Sequence, residues 1–131
     1  MKKKKVKIAG KQVWLAYCYA TELAFYNLAD IDINDFFMNF FSPNNEGDEQ
    51  ERKEKEYIKR KRIMFAIVAA AYAYSKSIDK DAEPDESIVM FDAKPNEITD
   101  AFSCVIELRN EWYKLPSDDK PKKEDEDGEK N

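Results

Sequence analysis

The sequence predicts a mainly α fold opened by a short N-terminal β-hairpin, an α+β protein with four to five helices around one core. Three observations carry that expectation. Residues 63–74 read Ile-Met-Phe-Ala-Ile-Val-Ala-Ala-Ala-Tyr-Ala-Tyr, apolar or aromatic throughout and without a charge. Residues 6–15 instead alternate apolar and polar around Gly10, the period of a strand pair. In three further stretches apolar residues recur three and four apart, which is the period of a helix face.

The totals set the scale. A chain of 131 residues, 43% hydrophobic and 13% aromatic, closes one core and is short for two. One domain over residues 1–116 is expected. Net charge is -5 with 37% charged residues, so the overall field is mildly acidic and offers no general attraction to nucleic acid or anionic lipid. The two cysteines have no zinc spacing and there is no histidine, so the commonest metal ligand and general base are missing. A reduced, intracellular protein is expected. Lys2, Lys3, Lys4 and Lys5 imitate the start of a signal peptide, but Lys7, Lys11 and Glu22 interrupt any apolar stretch behind them. As a helix, residues 63–74 would span ~18 Å at ~1.5 Å per residue, against ~30 Å of bilayer hydrocarbon. A buried helix is expected there, with no membrane span.

In chain order, Val6 and Ile8, then Gly10 and Lys11, then Val13 and Leu15 predict a hairpin, the alternative being a frayed basic arm. Tyr19, Ala20, Leu23, Ala24, Asn27 and Leu28 predict a helix of two to three turns ended by residues 30–32. Asp32 stands as an N-cap, with Asp35 three residues on. Behind it Ile33, Phe36, Phe37, Phe40 and Phe41 gather within about 140° of a helical wheel, a short helix with one aromatic face. Residues 42–48 hold Pro43, two asparagines and Gly47, and read as a loop. From Glu49 acids stand four residues ahead of bases, Glu49 with Lys53, Glu51 with Lys55, Glu56 with Arg60, the favourable order on an exposed helix. One long helix over residues 49–75 is expected, solvated in its first half and buried in its second.

Residues 77–86, with Pro84, read as a loop ending at a possible Asp85 cap. Residues 88–91 fit a helical turn or a strand, and a short helix is preferred. Pro95 sits where a first helical residue should. Ile98, Ala101, Phe102, Val105, Ile106, Leu108 and Trp112 then draw an apolar stripe to about Tyr113. Arg109 falls inside that stripe and must either snorkel or find a carboxylate; snorkelling is the first expectation. Residues 117–131 have no apolar residue besides proline and predict a disordered charged tail.

Catalytic and metal chemistry is hard to draw. Asp30-Ile-Asp-Ile-Asn-Asp35 resembles the start of a calcium loop, but the sixth and twelfth places hold Asp35 and Phe41 instead of glycine and glutamate. Three glycines in the whole chain allow neither common phosphate-cradling loop. Cys18 and Cys104 have no histidine to activate them and read as small buried hydrophobes. The carboxylates sit in charge pairs, caps or the tail, none in an apolar setting that would raise its pKa. No enzyme, cofactor, metal or small-molecule substrate is expected. Lys59, Arg60, Lys61 and Arg62, with the lysine-rich start, form a weak candidate for phosphate contact, and a solvated helix face is the preferred reading. The face of Phe36, Phe37, Phe40 and Phe41 is the better candidate for a partner surface. Core is its first expectation, docking its second.

The hairpin Val6-Lys-Ile-Ala-Gly10-Lys-Gln-Val-Trp-Leu15, the helix through Leu23 and Leu28, and Asp32-Ile-Asn-Asp-Phe36 together resemble the opening of tail assembly chaperones of long-tailed bacteriophages and prophages. The alanine-rich helix at 63–74, the polar loop with Pro84 and a final helix ending in Glu111-Trp-Tyr extend the resemblance over about residues 4–115. It implies a non-enzymatic protein of the bacterial cytoplasm that binds the tape-measure protein, keeps it soluble and helps recruit tail-tube subunits. Such proteins are absent from the finished virion and often have a longer frameshifted form. Competing expectations are a structural phage adaptor that stays in the particle, and a small nucleic-acid-binding regulator. The all-round apolarity of residues 63–74 also allows a homo-oligomer.

Overall fold

A computed structural model describes residues 1–40 and 47–114. They form β1 (Lys3–Ile8), β2 (Lys11–Ala16), α1 (Tyr19–Ala29), α2 (Ile33–Phe40), α3 (Glu49–Ile78), α4 (Ser87–Met90) and α5 (Pro95–Tyr113). This is the mainly helical architecture with an N-terminal antiparallel hairpin that the periodicities predict. Phe41, most of the expected 42–48 loop and the expected tail at 117–131 lie outside the described residues.

The hairpin pairs Val6 with Val13 and Ile8 with Lys11. Its tip, Ala9 and Gly10, takes φ of 53° and 80°, the two positive values of a type I′ turn, whose twist matches the strands it joins. Glycine accepts such a backbone freely, whereas alanine does so at a steric cost. Ala9 is held by its N–H, which donates to Glu97 Oε1 on α5 at 2.9 Å. The same oxygen accepts the Lys94 N–H at 3.0 Å, so one carboxylate closes the first turn of α5 and anchors the hairpin tip. The lysine-rich start is strand and not a frayed arm. Lys2 and Lys4 reach Glu111 and Glu107 on α5 at 3.4 and 3.2 Å. Lys3 and Lys5, on the opposite face of the strand, lie 5.0 and 5.4 Å from the Trp14 ring.

The buried half of α3 is the centre of the molecule. Ile67, Val68, Ala69 and Ala70 have no exposed surface, and four consecutive helical positions face almost all round. α1, α2, α4, α5 and β2 all pack against this helix. Alanines let those neighbours approach closely, and the larger side chains of Phe25, Ile8, Leu15, Ile33 and Val105 fill the space around them. Residues 47–58 are exposed at every position, so the first half of α3 is solvated as its charge pattern predicts. Asp48 caps it reciprocally: the Glu51 N–H donates to Asp48 Oδ1 at 2.9 Å and the Asp48 N–H to Glu51 Oε1 at 3.0 Å. Glu49 and Lys53 pair at 4.0 Å, while the Glu51 carboxylate expected to pair with Lys55 serves the cap instead.

Residues 88–90 are helical, within α4 (Ser87–Met90), with Phe91 just past its end and Asp85 Oδ1 accepting the Ser87 N–H at 3.0 Å and its hydroxyl at 2.6 Å. α5 begins at Pro95 and buries Ala101, Phe102, Val105 and Leu108. Among the described residues no helix is long and apolar enough to cross a membrane.

Candidate functional site

The aromatic face of α2 is packed inward. Asp32 Oδ1 accepts the Asn34 N–H at 2.7 Å and its carbonyl accepts the Phe36 N–H at 3.1 Å, which starts the helix and aims the phenylalanines at α5. Phe36 is 5% exposed. Its ring lies 5.6 Å from Phe25 and 6.0 Å from Phe102. Phe37 stacks on Phe102 at 5.8 Å and 13° between planes, and Phe40 lies 5.2 Å from Phe102. Phe37 and Phe40 are half-buried, with the Arg109 guanidinium 4.8 Å over one ring and the Lys59 ammonium 4.4 Å over the other. Three of the four residues singled out as a partner surface are therefore joined in one cluster that is first of all core; Phe41 is outside the described residues.

Among the described residues no carboxylate pairs with Arg109, which is half-buried near the end of α5. Its Nε and one terminal nitrogen donate to Asn34 Oδ1 at 3.1 and 2.8 Å, and its guanidinium carbon lies 4.8 Å from the Phe37 ring centre and 5.2 Å from that of Tyr113. An amide oxygen and two π faces satisfy the cation at the end of the apolar stripe. Asn34 passes the chain on: its Nδ2 donates to the Tyr113 hydroxyl at 3.3 Å, and Tyr113 donates to Glu22 Oε2, which also accepts the Tyr17 hydroxyl at 2.9 Å. This run ties α1, α2, α5 and Tyr17, just past β2, together. Burial, and then the bond to Glu22, push the Tyr17 phenol far above its ordinary range. The bond to Glu22 raises Tyr113 as well.

Lys59, Arg60, Lys61 and Arg62 are on the exposed side of the join between the two halves of α3. At about 100° per residue four consecutive positions spread round the helix and present no single basic face. Lys59 sits on Phe40, and the Arg60 guanidinium lies 5.5 Å over Tyr57. Lys2 and Lys4 are engaged with Glu111 and Glu107, and Lys3 and Lys5 with Trp14. The structure thus does not assemble the two basic stretches into one patch among the described side chains. Cys18 and Cys104 are half-buried free thiols, and burial pushes Cys104 up. Among the described residues no group of three or more Cys, Asp or Glu is placed to hold a metal ion.

Sequence reasoning missed the outer face of α1. The helix forms where predicted, but its expected stripe divides. Thr21, Ala24 and Phe25 face the core, whereas Tyr19, Leu23 and Tyr26 are 68%, 67% and 55% exposed. Steps of about 100° put these three within about 60° of one another, directly opposite the buried side. Trp112, 39% exposed at the end of α5, meets Tyr19 edge-on at 5.3 Å. The available signal was two apolar stripes on one short helix, only one of which can face a single core.

Among the described residues, fold and surface define a small α+β protein with one helix face left apolar and exposed. The chain matches no protein-family model, no curated protein and no solved structure.

Proposed function

We propose that this protein is a non-enzymatic assembly chaperone, a phage tail assembly chaperone that binds the tape-measure protein in the bacterial cytoplasm and helps recruit tail-tube subunits. The observation that carries the reading is the outward stripe of Tyr19, Leu23 and Tyr26 on a protein whose core is already complete without it. Large apolar side chains grouped on one exposed face mark a surface that another protein covers, and aromatic residues anchor such contacts efficiently. The element order, hairpin, helix, short acid-capped helix, long alanine-rich helix and final amphipathic helix, supports the resemblance to tail assembly chaperones. The exposed, charge-paired first half of α3 suits a protein that keeps an apolar client in solution.

Co-expression with a tape-measure fragment tests the reading. A soluble complex is expected, and the fragment remaining insoluble beside the wild-type chain overturns it. Gene order gives an independent check: a tail-tube gene upstream and a very long, helix-rich tape-measure gene downstream are expected. Mass spectrometry of purified virions should not detect the chain; its presence in stoichiometric amount favours a structural adaptor.

A further inference from the structure

We infer that the outer face of α1, formed by Tyr19, Leu23 and Tyr26 and extended by Trp112, docks a basic amphipathic helix, one whose apolar stripe is bordered by lysine or arginine. The inference deepens the chaperone reading and rests on it, naming the face and the chemistry of the helix it takes.

Shape and charge carry the argument together. The three anchors recur at i, i+4 and i+7, the spacing by which one helix face meets another. They point away from the molecule, so a client helix can lie along them without displacing any part of the described fold. The border of this face is acidic. Glu22, half-buried and charged while its Oε2 accepts the Tyr17 and Tyr113 hydroxyls, lies beside the stripe on one side, and exposed Asp30 continues it beyond Tyr26 at the end of the helix. From Gln12 to Glu51 the sequence holds no lysine or arginine at all. On the α5 side, Glu111 precedes Trp112 and is paired with Lys2, Arg109 is committed to Asn34, and Lys114 follows at the C-cap. The basic residues are thus concentrated in the hairpin and α3, away from the α1 sequence. An acidic client helix would bring like charges to Glu22 and Asp30, and an uncharged one would gain nothing from them. A client with cations along its stripe is attracted by both charges, and complementary rims of this kind set partner choice and encounter rate more than they set raw affinity.

Three synthetic helical peptides test this against the full chain, with tryptophan emission and calorimetry as readouts. All have the same length; one has a leucine stripe bordered by lysine, one the same stripe bordered by glutamate, and one a serine stripe bordered by lysine. The lysine-bordered leucine peptide should bind at least about tenfold more tightly than either other peptide, weaken as salt rises, and shift the emission of Trp112. Equal binding of the glutamate-bordered peptide overturns the charge argument, and equal binding of the serine-stripe peptide overturns the apolar one. The double variant Leu23→Gln with Tyr26→Gln should lose at least about tenfold in affinity while keeping its melting temperature. Undiminished binding by the folded variant overturns the face. A stable dimer of the wild-type chain that this variant abolishes also overturns the inference, because the occupant is then a second copy. Peptide binding without tape-measure binding removes the tape-measure reading and leaves the face assigned. A tape-measure complex that survives the double variant does the reverse.

Discussion

α1 and α2 carry similar apolar content and put it to opposite use. The aromatic face of α2 closes on Phe102 and Phe25, with Phe36 almost wholly buried. α1 has an equally regular stripe in Tyr19, Leu23 and Tyr26, yet this one faces water. The difference is geometric. α2 has one apolar face and turns it to the only core available. α1 has two, and Thr21, Ala24 and Phe25 take the core side because they are the set that fits against α3. Apolar periodicity therefore says that a face will be covered, without saying that the chain itself covers it.

The strongest way to break the contrast is to remove the α2 anchor. Phe36→Ala should cost about 3–5 kcal/mol, the range for deleting a buried aromatic ring and leaving its cavity, read as a shift in the urea midpoint. A loss near that of a surface change would mean that the cluster is peripheral. On α1 the inner face is tested by Thr21→Val, which keeps the volume and removes the hydroxyl. Thr21 Oγ1 donates to the Ala16 carbonyl at 2.9 Å and accepts the Cys18 N–H at 3.1 Å, at a position with no exposed surface. Orphaning both backbone groups should cost ~1–3 kcal/mol. A neutral substitution would show that water reaches them and that the inner face of α1 opens readily.

Much of this was legible in the sequence, for physical reasons. Hairpin, caps and helices are local features: Gly10 at a turn, Asp32 at a helix start, Pro95 at a first helical position, and the charge order of residues 49–60 each act over a few residues. The buried half of α3 was legible because a stretch with no polar side has only one place to go. What could not be read depends on partners far apart in sequence. Arg109 is satisfied by Asn34, 75 residues away, and no pattern around either residue points to the other. Ala9 is held by Glu97 in the same way. The candidate face was misplaced for a related reason. Four phenylalanines within one turn and a half stand out more than Tyr19, Leu23 and Tyr26, but the larger rings are also the better core, and the core takes them first.

A subtler test concerns the polar run that holds the two helices in place. The Tyr17 phenol ordinarily titrates near 10.0, and burial, with the bond to Glu22, raises it in the folded protein. The folded value lies above the unfolded one, so this contribution to stability is complete below about pH 10 and is lost as the pH rises past it. Tyr17→Phe removes the hydroxyl and should flatten this part of the alkaline loss, at the cost of a small decrease at neutral pH from the missing bond. The difference between wild type and variant in melting temperature, followed from about pH 8 to pH 11, isolates the tyrosine from the lysines that also titrate there. Parallel curves would mean that Tyr17 is open to solvent and that its bond to Glu22 does not hold the end of the hairpin to α1.

The smallest expected effect on stability tests the comparison most directly. Leu23→Gln exchanges an apolar side chain for a polar one of similar helix propensity, at a position 67% exposed. On an uncovered face this should change the unfolding free energy by no more than about 0.5 kcal/mol, and the exposed apolar surface that it removes should make the protein less prone to self-association. The same substitution on the inner face would leave a buried amide without partners. A loss of about 2 kcal/mol or more at Leu23, of the size seen when a buried apolar side chain is lost, would show that this side chain is covered in solution by more of its own chain. In that case the stripe would be a second core face, the contrast between α1 and α2 would disappear, and the search for a partner surface would move from α1 to the exposed half of α3.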